Sequence, residues 1–326
     1  MSNGLKVETY GTRGSIAVAG SAYLEFGGNT TCLRIHSDCI PAGEALILDM
    51  GTGFYQCSRN LVNDGIFTIT ILLTHGHTDH TEGIKMAPHV YIPKSLIRLY
   101  GVKEHGCGPR ELLRDIMKEP HFPVHSARVQ HRFEFYPIEH IGTEVFLQHP
   151  KAGRTLLPVY KLEELRAEGR QIPIGKKRVD LSECLEISMY KTRHPEYTIS
   201  YRITEHPTGK VFVFLTDHEN TEGFPKDLLG HVSNADMLIA DAQYSEERYL
   251  NMTSGFGHGT PQYCAELFLR ANASKLGLTH HDPLACDADI HARLAEAQAY
   301  VGKHGMTQQE AEQRIFACRD YGVYEV

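Results

Sequence analysis

Apolar residues along this 326-residue chain fall in short runs separated by polar turns. The run Ile66-Phe67-Thr68-Ile69-Thr70-Ile71-Leu72-Leu73 is nearly continuous, and so is Val211-Phe212-Val213-Phe214-Leu215-Thr216. Both have strand length and carry β-branched and aromatic side chains, so both predict buried strands. In the first half the pattern predicts strands over 6–10, 31–35, 45–49 and 67–74, joined by turns rich in Gly, Asn and Pro. Gly51-Thr52-Gly53 permits a tight turn into a helix over 54–62, and 93–117 carries helical patterns. In the second half, strands are predicted at 188–191, 197–204, 211–216, 237–240, 274–279 and 314–317, with helices at 261–271 and 287–304. Strands in both halves, with helices between and outside them, predict a layered α/β sandwich.

Composition narrows the class. Hydrophobic residues make up 41% of the chain, enough for one large core or two modest domains. The organisation is read as one domain over 1–326 with an inserted basic segment at about 143–180. That segment holds Lys151, Arg154, Lys161, Arg166, Arg170, Lys176, Lys177 and Arg178 against few acids. It predicts an exposed helix over 161–170, serving as a solvated face, a cap at the site mouth or a homodimer contact. No apolar run reaches membrane-spanning length, and residues 1–6 lack the charged and apolar regions of a secretion signal. A cytoplasmic protein without a membrane partner is expected. Eight Cys are scattered without a Cys-x-x-Cys pair, which predicts free thiols. The net charge of −7 disfavours strong nucleic-acid binding. It leaves room for a small phosphodiester, because bound cations reverse the local field.

The candidate chemistry starts at the end of the first apolar run, in His75-Gly76-His77-Thr78-Asp79-His80. Three imidazoles and a carboxylate in one short loop after a strand suit borderline divalent metals. Three more predicted strand ends carry such groups: His194, Asp217 and His280, with His281 beside the last. Together they form a set: His75, His77 and His194 for one ion, and Asp79, His80 and His280 for another. Asp217 can bridge the pair through its two oxygens. Two ions so held favour hydrolysis, because bound water ionises near neutral pH.

This ordered set resembles the metallo-β-lactamase superfamily of dinuclear hydrolases. Four strings resemble its ribonuclease Z and cyclic-nucleotide phosphodiesterase branch: Gly11-Thr12-Arg13-Gly14-Ser15 with Gly27-Gly28-Asn29-Thr30, Leu48-Asp49-Met50-Gly51-Thr52-Gly53, Gly257-His258-Gly259-Thr260, and Thr279-His280-His281-Asp282-Pro283. The resemblance implies a four-layer αββα sandwich, two divalent ions (zinc first, manganese or iron as alternatives) and a phosphodiester substrate. It also implies that Asp49 steadies the His loop from behind and that His258 donates a proton to the leaving oxygen. Asp79 and Asp217 join His258 as candidate catalytic groups; Arg13 and His281 are candidates for contacting the phosphate. Tyr197, Tyr201, Tyr244 and Tyr249 are candidates for stacking a base, against the ordinary alternative of core packing.

Relatives of the ribonuclease kind carry a tRNA-gripping arm between the positions of His194 and Asp217. Here those positions are 23 residues apart, and 205–209 reads as a hairpin turn. A small cyclic nucleotide or cyclic ribose phosphate is therefore the expected substrate. The alternatives are RNA cleavage of the ribonuclease Z type, hydrolysis of a lactone, thioester or β-lactam on the same site, and a non-catalytic di-iron sensor.

Overall fold

A computed structural model describes residues 4–326. The first three residues of the reading for a secretion signal lie outside that range. Two large sheets pack face to face. The first contains β1 (Lys6–Gly11), β2 (Cys32–His36), β3 (Glu44–Leu48), β4 (Thr68–Leu72), β5 (Leu96–Val102) and β6 (Phe133–Ile138). The second contains β7 (Glu144–His149), β8 (Gly153–Pro158), β11 (Leu185–Lys191), β12 (Ile199–Glu205), β13 (Lys210–Leu215), β14 (Met237–Asp241), β15 (Lys275–Thr279) and β16 (Ile315–Ala317). A two-stranded ribbon, β9 (Ile172–Ile174) with β10 (Lys177–Val179), lies between β8 and β11 in sequence, and β17 (Val323–Glu325) returns to pair with β1.

The strand order is β17-β1-β2-β3-β4-β5-β6 in one sheet and β16-β15-β14-β13-β12-β11-β7-β8 in the other. β3 to β6 run parallel, as do β13 to β16. Parallel strands need crossovers and cover on both faces. Helices Phe54–Asn63 and Pro109–Ile116 bury Phe54, Leu61 and Leu113 on the outside of the first sheet with Ile47, Ile69 and Leu99. Helices Pro261–Arg270 and Asp287–Lys303 do the same for the second sheet, through Phe268, Leu267 and Val301. Leu46, Leu72, Phe146, Ile187, Phe212 and Ile239 fill the space between the sheets. The expected αββα sandwich is the observed architecture.

Two local expectations need correction. The 93–117 stretch is a strand followed by a helix: Leu96–Val102 pairs with β4 and β6, and only Pro109–Ile116 is helical. Ile97 and Leu99 face the helices while Tyr100 faces the opposite sheet, so burial on both faces erased the two-residue alternation. The 143–180 segment does carry an exposed-side helix, Val159–Ala167, but it opens with β7 and β8, which extend the second sheet. Its cations are largely engaged: Arg154 with Glu44 of the first sheet, Arg166 with Glu186, Arg170 with Glu168. No helix among the described residues is long and apolar enough to cross a membrane, and all eight Cys are free thiols.

Candidate metal centre

Strand ends and the loops leaving them deliver every candidate group to one rim of the sandwich. Asp49 follows β3. His75, His77, Asp79 and His80 lie in the loop and short helix (Thr78–Thr81) after β4. His194 lies in the β11–β12 connection, Asp217 follows β13, and His280 follows β15. Asp49, Asp217 and His280 all take left-handed backbone angles, with φ of 60°, 47° and 58°. Such angles in non-glycine residues concentrate at functional sites and persist where neighbours over-determine them. For Asp49 those neighbours are the Thr74 N–H at 2.7 Å, the Thr74 hydroxyl at 2.8 Å and His80 Nδ1–H at 2.8 Å.

Two groups of atoms converge. In the first, His77 Nδ1 lies 3.3 Å from His194 Nε2, and Asp217 Oδ2 lies 3.6 Å from His75 Nε2 and 3.9 Å from His194 Nε2. In the second, His280 Nε2 lies 3.2 Å from Asp79 Oδ2 and 3.3 Å from His80 Nε2. Asp217 Oδ1 stands 3.2 Å from His80 Nε2 and 3.4 Å from His280 Nε2. Ligands at 2.0–2.1 Å from a tetrahedral ion are roughly 3.3 Å apart, so these edges have the right length for divalent metal.

Three further observations fit a metal. His75 Nε2 is buried without a hydrogen-bond partner among the described residues. The opposite ring nitrogens are held from behind: His80 Nδ1 by Asp49, His280 Nδ1 by Gln243 Oε1 at 2.9 Å, His194 Nδ1 by the Gly257 carbonyl at 3.0 Å, and His77 Nε2 by Glu196 at 2.8 Å. Such contacts fix tautomer and ring orientation in ligand histidines. Asp49, Asp79, Asp217 and Asp241 are all buried, and their ion-pair partners among the described residues are imidazoles alone. Four buried carboxylates with neither Lys nor Arg beside them call for cationic charge.

The electrostatics follow. Burial would raise Asp217, but His280, His80 and His75 outweigh it and hold the carboxyl well below its usual range. Burial also pushes His75 and His194 down, which keeps them neutral and able to bind metal. His280 is pushed down by burial and more strongly up by Asp217 and Asp79, to about 9.

His258 reaches the same rim from the loop before helix Pro261–Arg270. Its ring lies 4.9 Å from that of His280 and 5.3 Å from that of His194. Its Nδ1–H donates to Asp241 Oδ2 at 2.9 Å, which leaves Nε2 as the nitrogen for proton transfer. Gly257, with φ of 90°, packs so tightly that a Cβ there would meet His194 Nδ1 at 2.3 Å.

Two candidates are not brought to the cluster. Arg13 is fully buried and gives Nε to the Gly27 carbonyl and Nη1 to those of Asp282 and Ala285. It braces loops, and its remaining nitrogen, Nη2, is buried away from the surface. His281 donates Nε2–H to the Cys318 carbonyl, and burial pushes it down to about 3. That contact commits the His281 ring to the Cys318 side, while His280 Nε2 faces Asp79 and His80. Sequence reasoning missed Asp241, Gln243, Glu196 and the Ser15 N–H, which donates to Asp79 Oδ2 at 2.7 Å. Asp241, at the end of β14, followed the same strand-end rule as the others and was legible by it. Tyr201 is core, its hydroxyl donating to the Leu73 carbonyl.

A profile of the beta-lactamase superfamily domain matches residues 45–281. The chain belongs to the metallo-β-lactamase superfamily. It is similar to ribonuclease Z of Bradyrhizobium diazoefficiens, at 27% identity over 287 residues, 80% of this chain and 84% of that one. Its fold is similar to that of human tRNase Z, short form, with a TM-score of 0.56, 18% identity and 98% of each chain covered. It is also similar in fold to yeast PDE1, with a TM-score of 0.59, 12% identity and both chains covered in full.

Proposed function

We propose that this chain, a hydrolase of the metallo-β-lactamase superfamily, is a phosphodiesterase acting on a small cyclic nucleotide or cyclic ribose phosphate. The carrying observation is Asp217, whose two oxygens face two separate groups of imidazoles. His75, His77 and His194 would hold one divalent ion, and Asp79, His80 and His280 the second, with Asp217 shared. When bound, the ions supply a water ionised near neutral pH and screen charge on the phosphoryl oxygens. Zinc suits the imidazole and carboxylate set first, with manganese or iron as alternatives.

The residues of the chain do the rest. Asp49, Gln243, the Gly257 carbonyl and Glu196 hold the ring orientations described above. His258 protonates the leaving oxygen through Nε2, while Asp241 fixes its tautomer from the Nδ1 side. Support for a small substrate comes from the span between His194 and Asp217. It is occupied by β12, a tight turn and β13, with no room for an arm. The second reading, RNA cleavage, is favoured by similarity to ribonuclease Z.

The test is turnover of cyclic AMP, cyclic GMP, 2′,3′-cyclic nucleotides and a tRNA precursor side by side, before and after chelation. Cleavage of the tRNA alone reverses the order of the two readings. His258→Ala should slow diesters with alkoxide leaving groups by about 10²–10⁴ but hardly touch bis-(p-nitrophenyl) phosphate, whose leaving group needs no proton. Equal losses on both would remove His258 from the acid role.

A further inference from the structure

A cavity of 310 Å³ opens beside His75 and His77. Leu73, Val102, Pro109 and Leu112 supply apolar walls, and Glu104 and Tyr197 stand in its lining. We infer that this cavity seats the base of the substrate and that Glu104 selects guanine, an assignment that rests on the phosphodiesterase reading above.

The size sits at the low end of small-molecule pockets, roughly 300–1,000 Å³, room for one base and not for an oligonucleotide. No Lys or Arg among the described residues lines the cavity, and its two carboxylates repel a second phosphate. Glu196 is engaged by His77 Nε2. Glu104 keeps free acceptor capacity. Its Oε2 accepts the Tyr197 N–H at 2.9 Å, and among the described residues Oε1 has only His105 Nε2 at 3.8 Å, beyond hydrogen-bond reach. The side chain is fixed from below by a tight turn. Glu104 and Cys107 exchange backbone hydrogen bonds of 3.0 and 2.8 Å across His105 and Gly106, whose φ angles are 49° and 78°.

An ionised carboxylate only accepts, at about four lone-pair positions. Guanine offers two adjacent donors, N1–H and the N2 amino group, on one edge. Adenine offers a donor beside an acceptor, and that acceptor would face a carboxylate oxygen. Apolar walls sharpen the difference, because an unmatched polar group there is left without water.

The experiment compares kcat/KM for the cyclic monophosphates of guanosine, inosine, adenosine and uridine. Binding of the corresponding open monophosphates is measured by calorimetry on the metal-stripped and metal-loaded full chain. Guanosine should lead adenosine by roughly 10- to 100-fold, chiefly through KM, with inosine between them. Glu104→Gln should invert the order toward adenosine, because an amide offers one donor beside one acceptor. A loosened turn would weaken all bases alike and could not invert the order. Equal use of all bases, or an order unchanged by Glu104→Gln, overturns the assignment. If bis-(p-nitrophenyl) phosphate is not hydrolysed, the reaction reading falls, while the calorimetric base preference still stands or falls by itself.

Discussion

Asp49→Asn isolates the part played by a group that touches no substrate. Asn adopts left-handed backbone angles readily, so the φ of 60° at this corner is kept, and the amide oxygen can still accept from Thr74. What changes is the contact with His80 Nδ1. The carboxylate accepts from Nδ1–H at 2.8 Å and so leaves Nε2 with a lone pair facing Asp79, Asp217 and His280. An amide N–H turned to the same nitrogen donates instead, which moves the ring proton to Nε2 and aims it into the cluster. The chain loses one hydrogen bond to a charged group, worth about 1.5–3 kcal/mol, and that corresponds to roughly 10- to 150-fold in an equilibrium constant. Losses of 10- to 100-fold in metal affinity are usual for such supporting contacts. Competition with a chromophoric chelator should show one weakened equivalent, that of Asp79, His80 and His280, and one unchanged equivalent. Two equivalents of unaltered affinity would refute the tautomer argument, and equal weakening of both would show that Asp49 acts on the whole rim.

Gly257→Ala should displace His194, because the new Cβ meets its Nδ1 at 2.3 Å and φ is 90°. We expect one fewer metal equivalent by elemental analysis and a stability loss of about 1–2 kcal/mol in urea; full stoichiometry would count against close packing there. His89 is buried against helix Phe54–Asn63, with Nε2–H donating to the Ile66 carbonyl and Nδ1 accepting from Ser58, and burial lowers its pKa. Its folded pKa is below the unfolded value of about 6.5, so its contribution is complete above pH 6.5 and is lost as the pH falls below it. His89→Gln should shrink the stability difference between pH 7.5 and 5.5 by up to about 1.4 kcal/mol, and an unchanged difference would show that His89 protonates equally in both states.

How far the site was legible depended on how each residue makes itself felt. The loop from His75 to His80 is contiguous, and a buried strand before it gives the string a rigid mount. Asp217 and His280 were legible because each follows an apolar run. Asp241 followed the same rule but lacked an imidazole beside it in sequence. Glu104, Glu196 and Gln243 act through contacts made across more than thirty positions, and no local pattern announces them. Arg13 and His281 show the converse. Motif membership placed them near the cluster, but the carbonyls of Gly27, Asp282, Ala285 and Cys318 hold both side chains inside the protein. In the fold, the nearly continuous apolar runs of β4 and β13 were read correctly as buried strands, while β5 to β8 were missed or absorbed into a neighbouring segment. Arg98, Glu134 and Arg154 interrupt their apolar pattern; Arg98 pairs with Glu44 and Glu134 within the first sheet, and Arg154 reaches Glu44 only once the two sheets have met.

The left-handed corners at Asp49, Asp217 and His280 set selection for durability against selection for chemistry. Each costs roughly 1 kcal/mol, and together about 3 kcal/mol out of the 5–15 that hold an ordinary domain together. Glycine at any of the three removes that burden, and at the two aspartates it also removes a buried negative charge. A lineage released from its reaction would therefore gain robustness by drifting at these corners, so inert descendants should be sturdier than their working ancestor.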